Sequence, residues 1–192
     1  MPTQNKVAAP LQVERSTVTK LVITGAPNLD PITVFLEDLA RCKGKITVNC
    51  WGKSWTAYWG GMWDGLSIGQ FFCKLNTGYI IGYFDQEMNP RRFSGDALAN
   101  EVQRLVLKER RQFCYGVEEA RELFDEAEDL RDSSSFEHLH AVHSELMTTL
   151  FGYEWWHLTS DITEPNPDYE YLERIIHAVQ AALRQEQKQV AA

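Results

Sequence analysis

Residues 44–63 read GKITVNCWGKSWTAYWGGMW. In the first half, Ile46, Val48 and Cys50 alternate with Thr47 and Asn49. After Gly52-Lys53, Trp55, Ala57 and Trp59 alternate with Thr56 and Tyr58. Strict alternation is the period of a strand with one buried face. Two such runs parted by a short glycine-containing segment predict an antiparallel hairpin, with Gly52 supplying a positive φ. Upstream, TVTKLVITGA (17–26) and PITVFLE (31–37) are β-branched and end at turn residues. Three or four strands with short connections predict an antiparallel sheet. One face is apolar and the other mixes Thr, Asn and Tyr.

Gly60-Gly61 stops the strand pattern, and the period then changes. Ile68, Phe71, Phe72 and Leu75 recur at helical spacing behind Ser67, a good N-cap. Residues 77–85, TGYIIGYFD, fit either a short helix or a strand, with the helix preferred. Ser94 precedes an apolar stripe of Ala97, Leu98, Val102, Leu105 and Val106. A second helix runs through Val117, Ala120, Leu123, Phe124, Ala127 and Leu130. Residues 132–135, DSSS, form a linker before a helix from Phe136 to Phe151, which Gly152 ends. The last helix follows Pro165-Asn166-Pro167 and carries Tyr169, Leu172, Ile176, Val179 and Leu183. Strands first and helices later is the signature of an α+β fold. The expected organisation is a flexible N-terminal arm (1–16), an α+β domain (17–112) and an acidic helical region (113–192), separate or packed on the first.

The 192 residues are 44% hydrophobic and 24% charged, ordinary for a globular protein. No apolar run approaches the ~20 residues of a membrane span, and the N-terminus lacks the apolar segment of a secretory signal. The four cysteines, at 42, 50, 73 and 114, show no C-x-x-C spacing. Reduced, mostly buried thiols are expected. The net charge of −8 is unevenly placed: residues 1–112 carry 14 Lys and Arg against 10 Asp and Glu, residues 113–192 only 5 against 17. A surface so acidic repels phosphates. It either solvates the protein or meets a basic partner.

Gly52-Lys53-Ser54 resembles the end of a phosphate loop, but Thr47 stands where that loop needs its first glycine. His138, His140 and His143 are the one histidine cluster; His140 and His143 at i, i+3 can share a metal if a third ligand joins. No H-E-x-x-H order is present, and no cofactor is expected. Cys114 has Arg110 and Arg111 one turn before it, which favours a thiolate, while Phe113 and Tyr115 beside it argue for a packed thiol. Of Trp51, Trp55, Trp59 and Trp63, most are expected in the core, with one or two exposed beside Tyr58 as an aromatic surface. Trp155-Trp156 forms a second aromatic patch with the same two readings.

The segments DPITVFLEDL, GKITVNCWGKSWTAYWGGM and FFC, within residues 20–85, resemble a family of small uncharacterised accessory proteins encoded by tailed bacteriophages and prophages. The C-terminal YLERIIHAVQAAL is similar to the same setting. The resemblance carries over no catalytic residue. It implies an accessory protein working in the cytoplasm of a bacterial host.

The leading expectation is a non-enzymatic protein that binds a host protein complex with a basic nucleic-acid-binding surface. A defence system such as a CRISPR effector or a restriction nuclease is a fitting target class. The residues expected to bind the partner are Glu118, Glu122, Asp125, Glu126, Glu128, Asp129 and Asp132, with Trp155 and Trp156. The alternatives are a metal-dependent hydrolase using His140 and His143, and a regulator binding single-stranded nucleic acid through the tryptophan-rich sheet. Long amphipathic helices leave a homodimer open.

Overall fold

A computed structural model describes residues 12–190. The N-terminal arm expected over 1–16 lies outside them as far as residue 11; residues 12–16 are exposed and without regular structure. The chain divides into two compact units. A sheet unit combines the chain up to Gln86 with the chain from Ile175 onward, and a helical unit is Glu87–Arg174. Gln112 caps the C-terminus of a helix inside the second unit, so the acidic segment shares its unit with residues 87–112.

The sheet unit is built on four antiparallel strands in sequential order: β1 (Thr19–Ile23), β2 (Ile32–Ala40), β3 (Lys43–Cys50) and β4 (Lys53–Trp59). The alternation decides the faces as expected. Ile32, Val34, Ile46, Val48, Cys50, Trp55, Ala57 and Trp59 are buried. Across β3 and β4 large side chains face small ones: Gly44 pairs with Trp59 and Ile46 with Ala57. Such matching lets a pleated face fill without voids. The outer face is held by polar cross-strand pairs, Thr47 with Thr56 at 2.9 Å and Ser54 Oγ donating to Asn49 Oδ1 at 2.6 Å. Lys45 pairs with Glu37 there at 2.9 Å.

The hairpin turn sits one residue earlier than the sequence suggested. Cys50 pairs with Lys53, and the two central residues are Trp51 (φ 46°) and Gly52 (φ 72°). Positive φ at both marks a type I′ turn, which favours Asn-Gly because its twist suits the strands. Tryptophan in this conformation is strained, and Trp51 is 75% exposed. Trp51→Asn is therefore expected to stabilise the sheet unit by about 1 kcal/mol, read as a raised thermal midpoint. A lowered midpoint would show that Trp51 packs more than its exposure implies.

α1 (Ile68–Phe72) and α2 (Thr77–Phe84) follow. Ser67 and Gln70 form a capping box on α1, and Asp38 Oδ1 accepts from the Ile68 amide at 2.6 Å. Asn76 caps α2, so TGYIIGYF is helical as read. Trp59 meets Phe71 and Phe72 edge-on. The last helix, α7 (Pro167–Val190), supplies Val179, Gln180 and Leu183 to this unit. The Gln180 side chain donates to the carbonyls of Phe72 and Leu75, both at 3.0 Å, filling acceptors that short helix ends leave open.

The helical unit holds α3 (Gly95–Arg111), α4 (Val117–Glu126), a 3₁₀ helix (Ala127–Asp132), α5 (Phe136–Phe151) and α6 (Trp155–Thr159). Leu98, Val102, Val106, Ala120, Leu123, Ala127, Leu130, Leu139, Leu146, Met147 and Trp155 make its core. The single helix expected from Val117 to Leu130 tightens to 3₁₀ at Ala127, and α5 is kinked at His143 (φ −117°, ψ 16°). A two-stranded ribbon, β5 (Arg91–Phe93) with β6 (Thr163–Pro165), was not foreseen. Its strands are three residues long and 72 residues apart, too short to show a period. Arg92 and Glu164 pair across it at 2.8 Å.

Candidate functional site

The acidic segment is laid out by its own apolar minority. Ala120, Leu123, Ala127 and Leu130 point into the core of the helical unit and are buried. That spacing turns every intervening carboxylate outward. Glu118, Glu122, Asp125, Glu126, Glu128, Asp129 and Asp132 are all exposed. The result is an anionic ridge along α4 and the 3₁₀ helix. The ridge starts favourably, since Glu118 and Glu119 sit at the positive N-terminus of α4 and Glu119 accepts from the Gly116 amide.

Glu128 differs from the other six. Arg131 donates to it at 2.7 Å and Gln103 at 2.9 Å. Arg131 first, and then Gln103, hold the Glu128 carboxyl below the usual carboxylate range. Arg131 also reaches Asp96 and Asn100, tying the 3₁₀ helix to the start of α3. Glu128 therefore works as a brace of the ridge. Over residues 87–174 the sequence has 9 Lys and Arg against 20 Asp and Glu.

The aromatic candidates separate cleanly. Trp155 is 2% exposed, packed beside Phe136 and His140; it is core, not the partner-binding residue expected. Trp156, the next residue, is 38% exposed. In the sheet unit Trp55 and Trp59 are also buried, which corrects their place on the aromatic surface, while Trp51 and Tyr58 are exposed. Trp63, the fourth tryptophan of the 44–63 stretch, is exposed as well.

The histidines do not gather as their spacing suggested. His140 turns to Trp155, with ring centroids 5.8 Å apart, and the kink at His143 brings its ring towards His138 at 6.4 Å. Among the described residues no three His, Cys, Asp or Glu side chains converge as metal ligands. Cys114 is exposed rather than packed. Its thiol is pushed up, chiefly by a hydrogen bond to Glu109, so the neighbouring arginines do not make it a thiolate. Cys42 and Cys73 are likewise free thiols, and the Cys50 thiol donates to the Asp30 carbonyl at 3.6 Å.

Sequence reading placed Phe113 in packing beside Cys114, and the structure does not. This residue is 87% exposed with φ 64°, in the turn between α3 and α4. The available signal was an aromatic residue immediately after a helix ending in Lys108, Arg110 and Arg111. Among the described residues no helix is long and apolar enough to cross a membrane.

No curated protein and no solved structure matches the chain. The sequence model of a phage family, Phage_phiTE_072, matches residues 11–185. The match takes in the strands, α1 to α6 and most of α7, far beyond the segments that first suggested a phage origin. On that extent the chain belongs to this phage family.

Proposed function

We propose that this phage protein acts by binding a host macromolecular complex through the acidic ridge of α4 and the 3₁₀ helix. The complex is one that presents a basic nucleic-acid-binding surface, such as a CRISPR effector or a restriction nuclease, and the ridge occupies that surface. One observation supports the reading above the others. Seven exposed carboxylates stand on a segment whose opposite side is anchored in the core by four buried residues. A fixed anionic ridge loses little freedom on binding and steers a cationic partner to it by long-range attraction.

The test is capture of partners by the tagged chain from nuclease-treated host lysate, alongside a variant with Glu122, Asp125 and Glu126 all changed to Lys. All three side chains are exposed, so the fold is expected to hold. A stoichiometric, basic, nucleic-acid-handling partner is expected for the wild-type chain. The variant should bind it about 10–100-fold more weakly, and added salt should slow association. Equal capture by the variant would overturn the assignment of the ridge.

A further inference from the structure

Phe113 occupies a backbone position that suits glycine. α3 ends at Arg111 with Gln112 as its C-cap. Beyond it, the Phe113 amide donates to the Arg110 carbonyl at 3.2 Å and the Cys114 amide to the Glu109 carbonyl at 3.0 Å. These are the two bonds of a Schellman motif, whose residue after the cap takes the left-handed conformation and is usually glycine. A side chain with a Cβ is disfavoured there. Phe113 gains almost no burial in return, being 87% exposed. Within one chain it contributes strain and an exposed apolar surface.

A groove opens beside it. Arg110 and Val117, on either side of the turn, line a groove of about 460 Å³ between α3 and α4, together with Leu107, Arg121, Phe124 and Asp125. Leu107 and Val117 are exposed. The patch thus presents an apolar plug and an apolar groove side by side. It also holds both signs of charge, because Arg121 stands on the same helix as Glu118, Glu122 and Asp125. A two-fold interface brings the same patch of each copy together, so a plug must lie beside its own groove and each charge beside its opposite. This patch meets both conditions.

We propose that the α3–α4 turn is a homodimer interface. The Phe113 of each copy enters the groove of the other, and Arg110 and Arg121 of one copy meet the Glu118 and Glu122 carboxylates of its mate. The strain at Phe113 is then compensated by burial that exists only in the dimer. The interface takes Glu118 and Glu122 from the ridge, but its test uses the purified chain without any host component, so its failure is read separately from that of the acidic-ridge reading.

Sedimentation equilibrium of the purified full chain, from nanomolar to high micromolar concentration, tests it. The wild-type chain is expected to dimerise. Phe113→Gly should weaken the dimer at least about tenfold, as loss of a central aromatic anchor does, while raising the thermal midpoint of the monomer. Val117→Asp, at an exposed position that the fold does not need, should weaken the dimer as well. Arg121→Glu should do the same and recover association when mixed with a Glu118→Arg, Glu122→Arg chain. A wild-type monomer at every concentration would overturn the proposal and leave the groove to a segment of another protein. Undiminished dimerisation of Phe113→Gly would also overturn it.

Discussion

Replacing Gly95 with alanine is expected to cost the helical unit about 3 kcal/mol or more, the upper end of what overpacking produces. Gly95 is the first residue of α3. A Cβ built on it would lie 2.5 Å from the carbonyl oxygen of Leu130, 2.6 Å from that of Arg131 and 2.9 Å from that of Ser133. These are backbone atoms, and the chain that carries them is pinned. Leu130 is fully buried, and Arg131 is tied to Glu128, Asp96 and Asn100. No side-chain rotation relieves the overlap, so α3 and the 3₁₀ helix must move apart. Helix propensity alone predicts the opposite sign, since alanine is favoured over glycine by about 1 kcal/mol in a helix. Hydrogen exchange of the α3 amides reads the helical unit directly. Faster exchange in Gly95→Ala is the expected result; slower exchange would mean that the close approach is looser than its distances state.

The second large effect separates two adjacent tryptophans. Trp155→Ala should cost about 3–5 kcal/mol, the usual price of emptying a large aromatic site in a core. Trp156→Ala should cost less than about 1 kcal/mol, because its ring is partly solvated and leaves no enclosed cavity. Trp155 sits among Phe136, His140 and Trp156, with centroid distances of 5.5, 5.8 and 6.1 Å. Phe136 in turn meets Phe93 edge-on at 6.2 Å, which links α6 through α5 to the β5–β6 ribbon. Removing Trp155 therefore loosens three elements together. Urea unfolding followed by far-ultraviolet circular dichroism measures both variants. Equal midpoints for the two would refute the assignment of Trp155 to the core.

That pair also shows where sequence reading stopped. Successive residues on a helix point about 100° apart, so the two need not share one environment, and nothing in WWH says which faces inward. The strands were legible because β3 and β4 alternate without interruption, with Gly44 set against Trp59 and Ile46 against Ala57. The helix over 77–84 was only half legible, because TGYIIGYFD suits a short strand as well, and the Asn76 cap that decides for helix is seen only in the structure. The tightening at Ala127 was not legible, since apolar spacing alone does not tell 3₁₀ from α over a single turn. The ribbon of β5 and β6 depends on two short segments distant in sequence. The carboxylates of the ridge were legible as a group because buried Ala120, Leu123, Ala127 and Leu130 leave them nowhere else to point. The bracing role of Glu128 was not, because it is set by Gln103 and Arg131 arriving from two elements. The groove beside Phe113 was invisible for the same reason.

The sheet unit is finished by the far end of the chain. Gln180 fastens α7 to the carbonyls of Phe72 and Leu75, and Leu183 lies with Leu36 around Gly69. Residues 87–174 are made between the strands and that helix. On a ribosome adding about 5–20 residues per second, the strands wait roughly 5–20 seconds for it. The helical unit, unbroken in sequence, has all its parts in hand earlier. Birth order is therefore reversed: the strands emerge first yet mature last. In that interval the part of the sheet's apolar side that α1 and α2 leave uncovered is open to chaperones, and a chain that stops before residue 175 never closes it.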